Sequence, residues 1–117
     1  MNSPEPTLST CIYTVRRERD IRQHYFESME EEERPQRILL DRAELVIGRG
    51  ADADIRIASQ RASRQHAFLT RRGTDYLIRD NDSYNGIFLN GLKIHSAVLR
   101  DGDVIQLADC GFVYREG

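Results

Sequence analysis

A chain of 117 residues, 39% hydrophobic and 31% charged, is long enough for one domain and one core and has the composition of a folded protein. Its net charge of −2 gives no basic excess for a nucleic acid, and none of its apolar runs approaches the roughly 18 residues of a membrane span. Cys11 and Cys110 lie in no metal-ligand or C-x-x-C spacing, so both are expected to be buried or half-buried thiols.

Residues 1–10, MNSPEPTLST, are polar and carry two prolines; they read as a disordered lead without the apolar core of a signal peptide. In residues 11–22, CIYTV is β-like, and RRERDIR suits either a helical turn or a loop. The expected division is therefore a flexible N-terminal extension over 1–22 and a folded domain over 23–117, in the cytoplasm. From residue 24 short apolar runs take over. HYFESM precedes the acidic turn EEEERPQ, then come RILL, ELVI, IRI, AFL, YLI, IFL, LKI, VL, VIQL and FVY. Asn90-Gly91 between IFL and LKI is the strongest hairpin signal, because both positions of a type I′ turn require φ > 0. Asp101-Gly102 marks another turn. After residue 24 no helical apolar period persists, and many short strands with regular turns predict a β-sandwich or barrel.

Several motifs suggest chemistry and lack the context for it. Gly48 to Ala53 spells a loose dinucleotide fingerprint, but strand-like DIRI follows where the pyrophosphate needs a helix. DNDSYNG, residues 80–86, is acidic enough for calcium. An EF-hand loop from Asp80 would need Gly at its sixth position and Glu at its twelfth, which are Asn85 and Gly91. His24, His66 and His95 are isolated from one another and from cysteine. Ser63 and His66 are three apart, with no nucleophile elbow and no third, orienting group. No metal, no cofactor and no catalysis are expected.

What remains is an ordered set. Gly48-Arg49 ends one strand, Ser63-Arg64-Gln65-His66 opens the next, and Asp80, Ser83, Asn85-Gly86 and Asn90-Gly91 follow. Together, on an all-β chain, these residues resemble the forkhead-associated (FHA) domain family over about residues 24–117. The resemblance implies a β-sandwich of about eleven mostly antiparallel strands that binds phosphothreonine peptides with loops at one end. It implies that Arg49, Ser63 and Arg64 hold the phosphate and that Asn85 holds the peptide backbone. Gly48, His66, Ser83 and Gly86 support the loops. Tyr84 stands where the family usually has a threonine at the phosphate; it keeps a hydroxyl but carries it outward. Ile87 replaces a second threonine and remains β-branched, so only packing should change.

The chemistry agrees with this. Phosphothreonine carries roughly −1.5 to −2 charge and three acceptor oxygens, which suit a guanidinium fork, a hydroxyl and loop amides. An asparagine amide offers the donor and the acceptor that an extended backbone needs. Residues 34–72 hold nine arginines against four acids, a local excess of five positive charges in an acidic chain. Arg61 is expected to set specificity. If residues 58–65 are extended, Arg61 faces the same way as Ser63 at about 6–7 Å along the groove, near the third residue after phosphothreonine. The implied partners are a phosphothreonine-containing protein and an upstream Ser/Thr kinase, with no nucleic acid and no membrane insertion. Two other readings fit the residues less well. One is a phosphate-independent scaffold of the same fold, for example in a secretion assembly. The other is a nucleic-acid binder using the arginine-rich middle.

Overall fold

In a computed structural model, residues 23–29 and 36–117 are described. The N-terminal extension, Cys11 and nearly all of the acidic turn fall outside them. The strands are β1 (His24–Ser28), β2 (Arg37–Leu39), β3 (Glu44–Gly48), β4 (Ile55–Arg56), β5 (Ala67–Arg72) and β6 (Asp75–Asp80). They continue with β7 (Ile87–Leu89), β8 (Leu92–Ile94), β9 (Ser96–Val98), β10 (Val104–Leu107) and β11 (Cys110–Glu116). One sheet has the order β9-β6-β5-β3-β4 and the other β2-β1-β11-β10-β7-β8. All neighbours are antiparallel except β3 and β4, which pair parallel through Ile47–Ile55 and Gly48–Arg56. Among the described residues this is the expected all-β sandwich of eleven mostly antiparallel strands. Among the described residues no helix is long and apolar enough to cross a membrane.

Alternation decides which side chains enter the core. Leu45 and Ile47 of β3, Ala67 and Leu69 of β5, and Tyr76 and Ile78 of β6 point inward from one sheet. Phe26, Ile87, Ile105, Leu107, Phe112 and Tyr114 meet them from the other. Each fully buried Leu, Ile or Phe among them contributes roughly 1.5–3 kcal/mol against exposure. Asn90 and Gly91 both adopt positive φ, 51° and 86°, as the I′ turn requires.

The apolar runs AFL and YLI prove to be the cores of longer strands. Their ladder continues to Arg72–Asp75 and closes at Gly73, whose φ is +64°. Outward-facing polar residues extend a ladder as well as apolar ones do, because its hydrogen bonds belong to the backbone.

At the end of the sandwich where β1 begins and β11 finishes, His24 is buried against Tyr76 and Tyr114. Its ring centroid is 5.4 Å from that of Tyr76 and 6.0 Å from that of Tyr114. His24 Nδ1 lies 2.7 Å from the Tyr114 hydroxyl, which donates to Glu116 at 3.0 Å. The Tyr76 hydroxyl reaches the carbonyls of Leu40 and Arg42 at 3.1 and 2.6 Å. Burial pushes both tyrosines above the ordinary phenol range; the Glu116 carboxylate adds to the effect on Tyr114, and Arg71 opposes it on Tyr76.

Candidate anion-binding groove

Three connections meet at the other end: residues 49–54 after β3, 57–66 after β4, and 81–86 after β6. The first two are pressed together at Gly48. A Cβ there would overlap the carbonyl of Arg64 and come within 2.9 Å of the carbonyl of Ser63, so only glycine fits. The close approach lets the Arg49 amide donate to the Ser63 carbonyl at 2.9 Å and the Gly50 amide to the Arg64 carbonyl at 3.1 Å. The Arg49 side chain is fixed in turn, because its Nε donates to the Ala62 carbonyl at 3.1 Å. Its terminal N–H groups stay available to the groove.

His66 joins the second connection to the third. It is fully buried. The Ser63 amide donates to its Nδ1 at 3.1 Å, so Nδ1 is the acceptor and Nε2 carries the proton, which it donates to the Gly86 carbonyl at 2.8 Å. The Ser63 hydroxyl oxygen accepts the Tyr84 amide at 3.0 Å, leaving its hydrogen to donate elsewhere. This arrangement has no nucleophile and base: the imidazole bonds the serine backbone, not the hydroxyl. Ser83 serves as a second brace. Its hydroxyl donates to Asp80 at 2.5 Å and accepts the Gly86 amide at 2.8 Å.

The groove so formed has a volume of about 680 Å³ and is lined by Arg49, Gln60, Arg61, Ala62, Ser63, Arg64, Tyr84 and Asn85. All six residues expected to touch ligand or select it therefore share one depression. Gly48, His66, Ser83 and Gly86 lie behind it. Tyr84 is 92% exposed and held only through its backbone. Asn85 donates one amide hydrogen to the Arg61 carbonyl at 2.6 Å, keeping its other hydrogen and its oxygen.

The extended geometry expected for residues 58–65 is wrong. The Ala62 amide bonds the Ser59 carbonyl at 3.2 Å and the Arg61 amide bonds the Ser59 hydroxyl at 3.1 Å, so 59–62 is a turn. A serine heading a four-residue segment supplies both bonds locally. The two-residue alternation invoked for Arg61 therefore does not apply, although Arg61 still lines the groove.

Sequence reasoning missed Asp109, on the turn between β10 and β11. The Ser59 hydroxyl donates to its carboxylate and holds it below the usual carboxylate range; its own amide and the Arg61 charge act in the same direction. No motif spacing links residues 59 and 109. Arg49, Arg56, Arg61 and Arg64 make no ion pair among the described residues; the arginines that do are 37, 42, 100 and 115. Within the same residues no cluster of His, Cys, Asp and Glu is placed to hold a metal.

A family model described as the FHA domain matches residues 45–108. An ABC transporter ATP-binding/permease protein of Mycobacterium tuberculosis is 47% identical over 73 residues. That match covers 61% of this chain and 8% of the transporter, so the chain spans a small part of that relative. A structure from an analysis of phosphothreonine-dependent FHA domain interactions aligns with a TM-score of 0.71 and 28% identity, covering 80% of this chain and 95% of that one. Mycobacterium tuberculosis EmbR, in complex with a low affinity phosphopeptide, aligns with a TM-score of 0.75 and 32% identity, covering 80% of this chain and 24% of EmbR.

Proposed function

This chain belongs to the FHA domain family, and on that premise we propose that it recognises phosphothreonine-containing proteins as a non-catalytic adaptor downstream of a Ser/Thr kinase. The observation that carries the reading is the pairing of Arg49 with Ser63. The guanidinium is tethered by one nitrogen and the hydroxyl accepts from a backbone amide, so both present their remaining hydrogens to one groove. Such tethering fixes donors before the ligand arrives and lowers the ordering cost of binding.

In this reading Arg49, Ser63 and Arg64 hold the phosphate, with the Tyr84 ring beside them. Asn85 holds the peptide backbone with the donor and acceptor that Arg61 leaves it. Arg61, which lines the same groove, selects an acidic residue after phosphothreonine. An exposed pair of this kind is worth about 0.2–1 kcal/mol, so the preference is a few-fold and weakens in salt. The domain begins at residue 23 and works in the cytoplasm.

An oriented phosphothreonine peptide library, run beside an unphosphorylated copy, tests the reading. Phosphate-dependent capture with an acidic preference after phosphothreonine is expected. Equal capture of both libraries would leave the phosphate-independent scaffold. An acidic preference unchanged in Arg61→Ala would remove Arg61 from the specificity argument.

A further inference from the structure

Arg49 and Arg64 form a wall with a depression on each side. One side is the groove described above. The other is a second depression of about 450 Å³, lined by Arg49, Gly50, Ala51, Asp52, Arg56 and Arg64. Arg61, Ser63 and Asn85 belong only to the first, and Arg56 only to the second.

The second depression has its own donors. Arg56 is exposed and tethered, its Nε donating to the Arg49 carbonyl at 3.2 Å. That bond leaves its terminal N–H groups unengaged. Gly50 to Ala53 form a turn closed by the Ala53 amide on the Gly50 carbonyl at 3.1 Å. The Ala51 and Asp52 amides, at the exposed middle of that turn, bond no other group among the described residues. Three arginines and a turn with two unbonded amides thus line one concavity, with Asp52 the sole acid on its wall. Three like charges set against one carboxylate still repel one another, and an anion relieves that repulsion. One phosphothreonine in the first groove leaves the Arg56 side uncompensated.

We propose that this depression is a second phosphate subsite and that the preferred ligand is a doubly phosphorylated peptide. The proposal rests on the phosphothreonine reading of the first groove. In the reading above Arg61 meets a residue after phosphothreonine, and on that premise the second phosphate precedes it on the chain. A carboxylate there fills the subsite less well, because it carries one charge where phosphate carries roughly −1.5 to −2 with three acceptor oxygens.

The test is titration calorimetry of the full chain against one peptide sequence. The peptide is prepared unphosphorylated, singly phosphorylated, and with a second phosphothreonine one to four residues before or after the first. The readout is the ratio of double- to single-phosphate affinity. We expect a ratio of about ten at one or two of the preceding positions, the gain of a charge-assisted contact at a partly exposed site. Arg56→Gln should bring it close to one, Arg56→Lys should keep part of it, and Asp52→Asn should raise it. Arg72→Gln, which removes an exposed charge at the Arg72–Asp75 end of the β5–β6 ladder, should leave it unchanged. A ratio near one at every preceding position overturns the subsite. So does a gain confined to following positions, or one equally sensitive to Arg72→Gln, which would be general charge attraction. These results leave single-phosphate binding standing. Failure of the singly phosphorylated peptide to outbind the unphosphorylated one overturns the first groove's reading and the subsite with it.

Discussion

His66 and His24 are both buried, and they close opposite ends of the sandwich by different means. His24 pairs with Glu116, whereas the Asp80 end of β6, beside Ala67, leads into the loops that His66 joins. Around His24 the work is done by rings: Tyr114 stacks on the imidazole, Tyr76 meets it edge to face, and both bury their bodies in the core. Around His66 each ring nitrogen makes one bond to a loop backbone, and among the described residues no aromatic ring packs against it. Apolar burial is strong and undirected, whereas hydrogen bonds are weak and directed. The end that must hold the sheets together uses the first, and the end that must aim charged side chains uses the second.

The contrast is breakable by substitution. Tyr114→Ala should cost about 3–5 kcal/mol of stability, as for other large aromatics removed from a core, with phosphopeptide affinity of the folded protein unchanged. Denaturant melts and calorimetry on the same sample check both halves; a matching loss of affinity would mean that the ends are coupled. Arg49→Ala should do the reverse, weakening phosphopeptide binding by about 2–5 kcal/mol with an unchanged melt. His66→Ala sits between them. It leaves the Ser63 amide and the Gly86 carbonyl without their partner, so about 1–3 kcal/mol of stability should go, together with affinity.

The tyrosines supply a pH test of the aromatic end. Their phenols titrate above the ordinary value of 10 in the fold, so the unfolded chain loses these protons first. Stability is then fully present below about pH 10 and falls as pH rises further, by about 1.4 kcal/mol per unit for each tyrosine still protonated in the fold. In Tyr114→Phe the alkaline slope should be shallower; an equal slope would place the effect elsewhere. The smallest effect belongs to Tyr84→Thr. The ring is solvent-exposed, so stability should move by no more than about 0.5 kcal/mol. Phosphothreonine affinity should hold or improve. Loss of all binding would make Tyr84 a principal contact.

How much of this was legible follows from the range of each interaction. The strands were readable because alternation and turn residues are local. Gly48, Arg49, Ser63 and Asn85 were readable because, in their order and spacing, they resemble the FHA pattern, whose implied roles suit their chemistry. The turn at 59–62 was not, since nothing in ASQR separates a serine-headed turn from an extended run. Asp109 was illegible for a different reason. It reaches Ser59 from the other sheet, and only the stacking of the two sheets brings 59 and 109 together. The core tyrosines were legible as apolar positions, but not as partners of His24, which read only as an isolated histidine.

The braces of the groove also make it separately observable. The amides of Ser63, Tyr84 and Gly86 donate to side chains, namely the His66 ring, the Ser63 hydroxyl and the Ser83 hydroxyl. Ladder amides exchange with solvent when strands part, whereas these three exchange when a side chain lets go. Their protection therefore reports the opening of the loop end alone. The hydrogen-exchange spectrum should contain two clocks: a slow one set by the sheets and a faster one set by three side chains. Ligand binding should slow the second and leave the first nearly untouched.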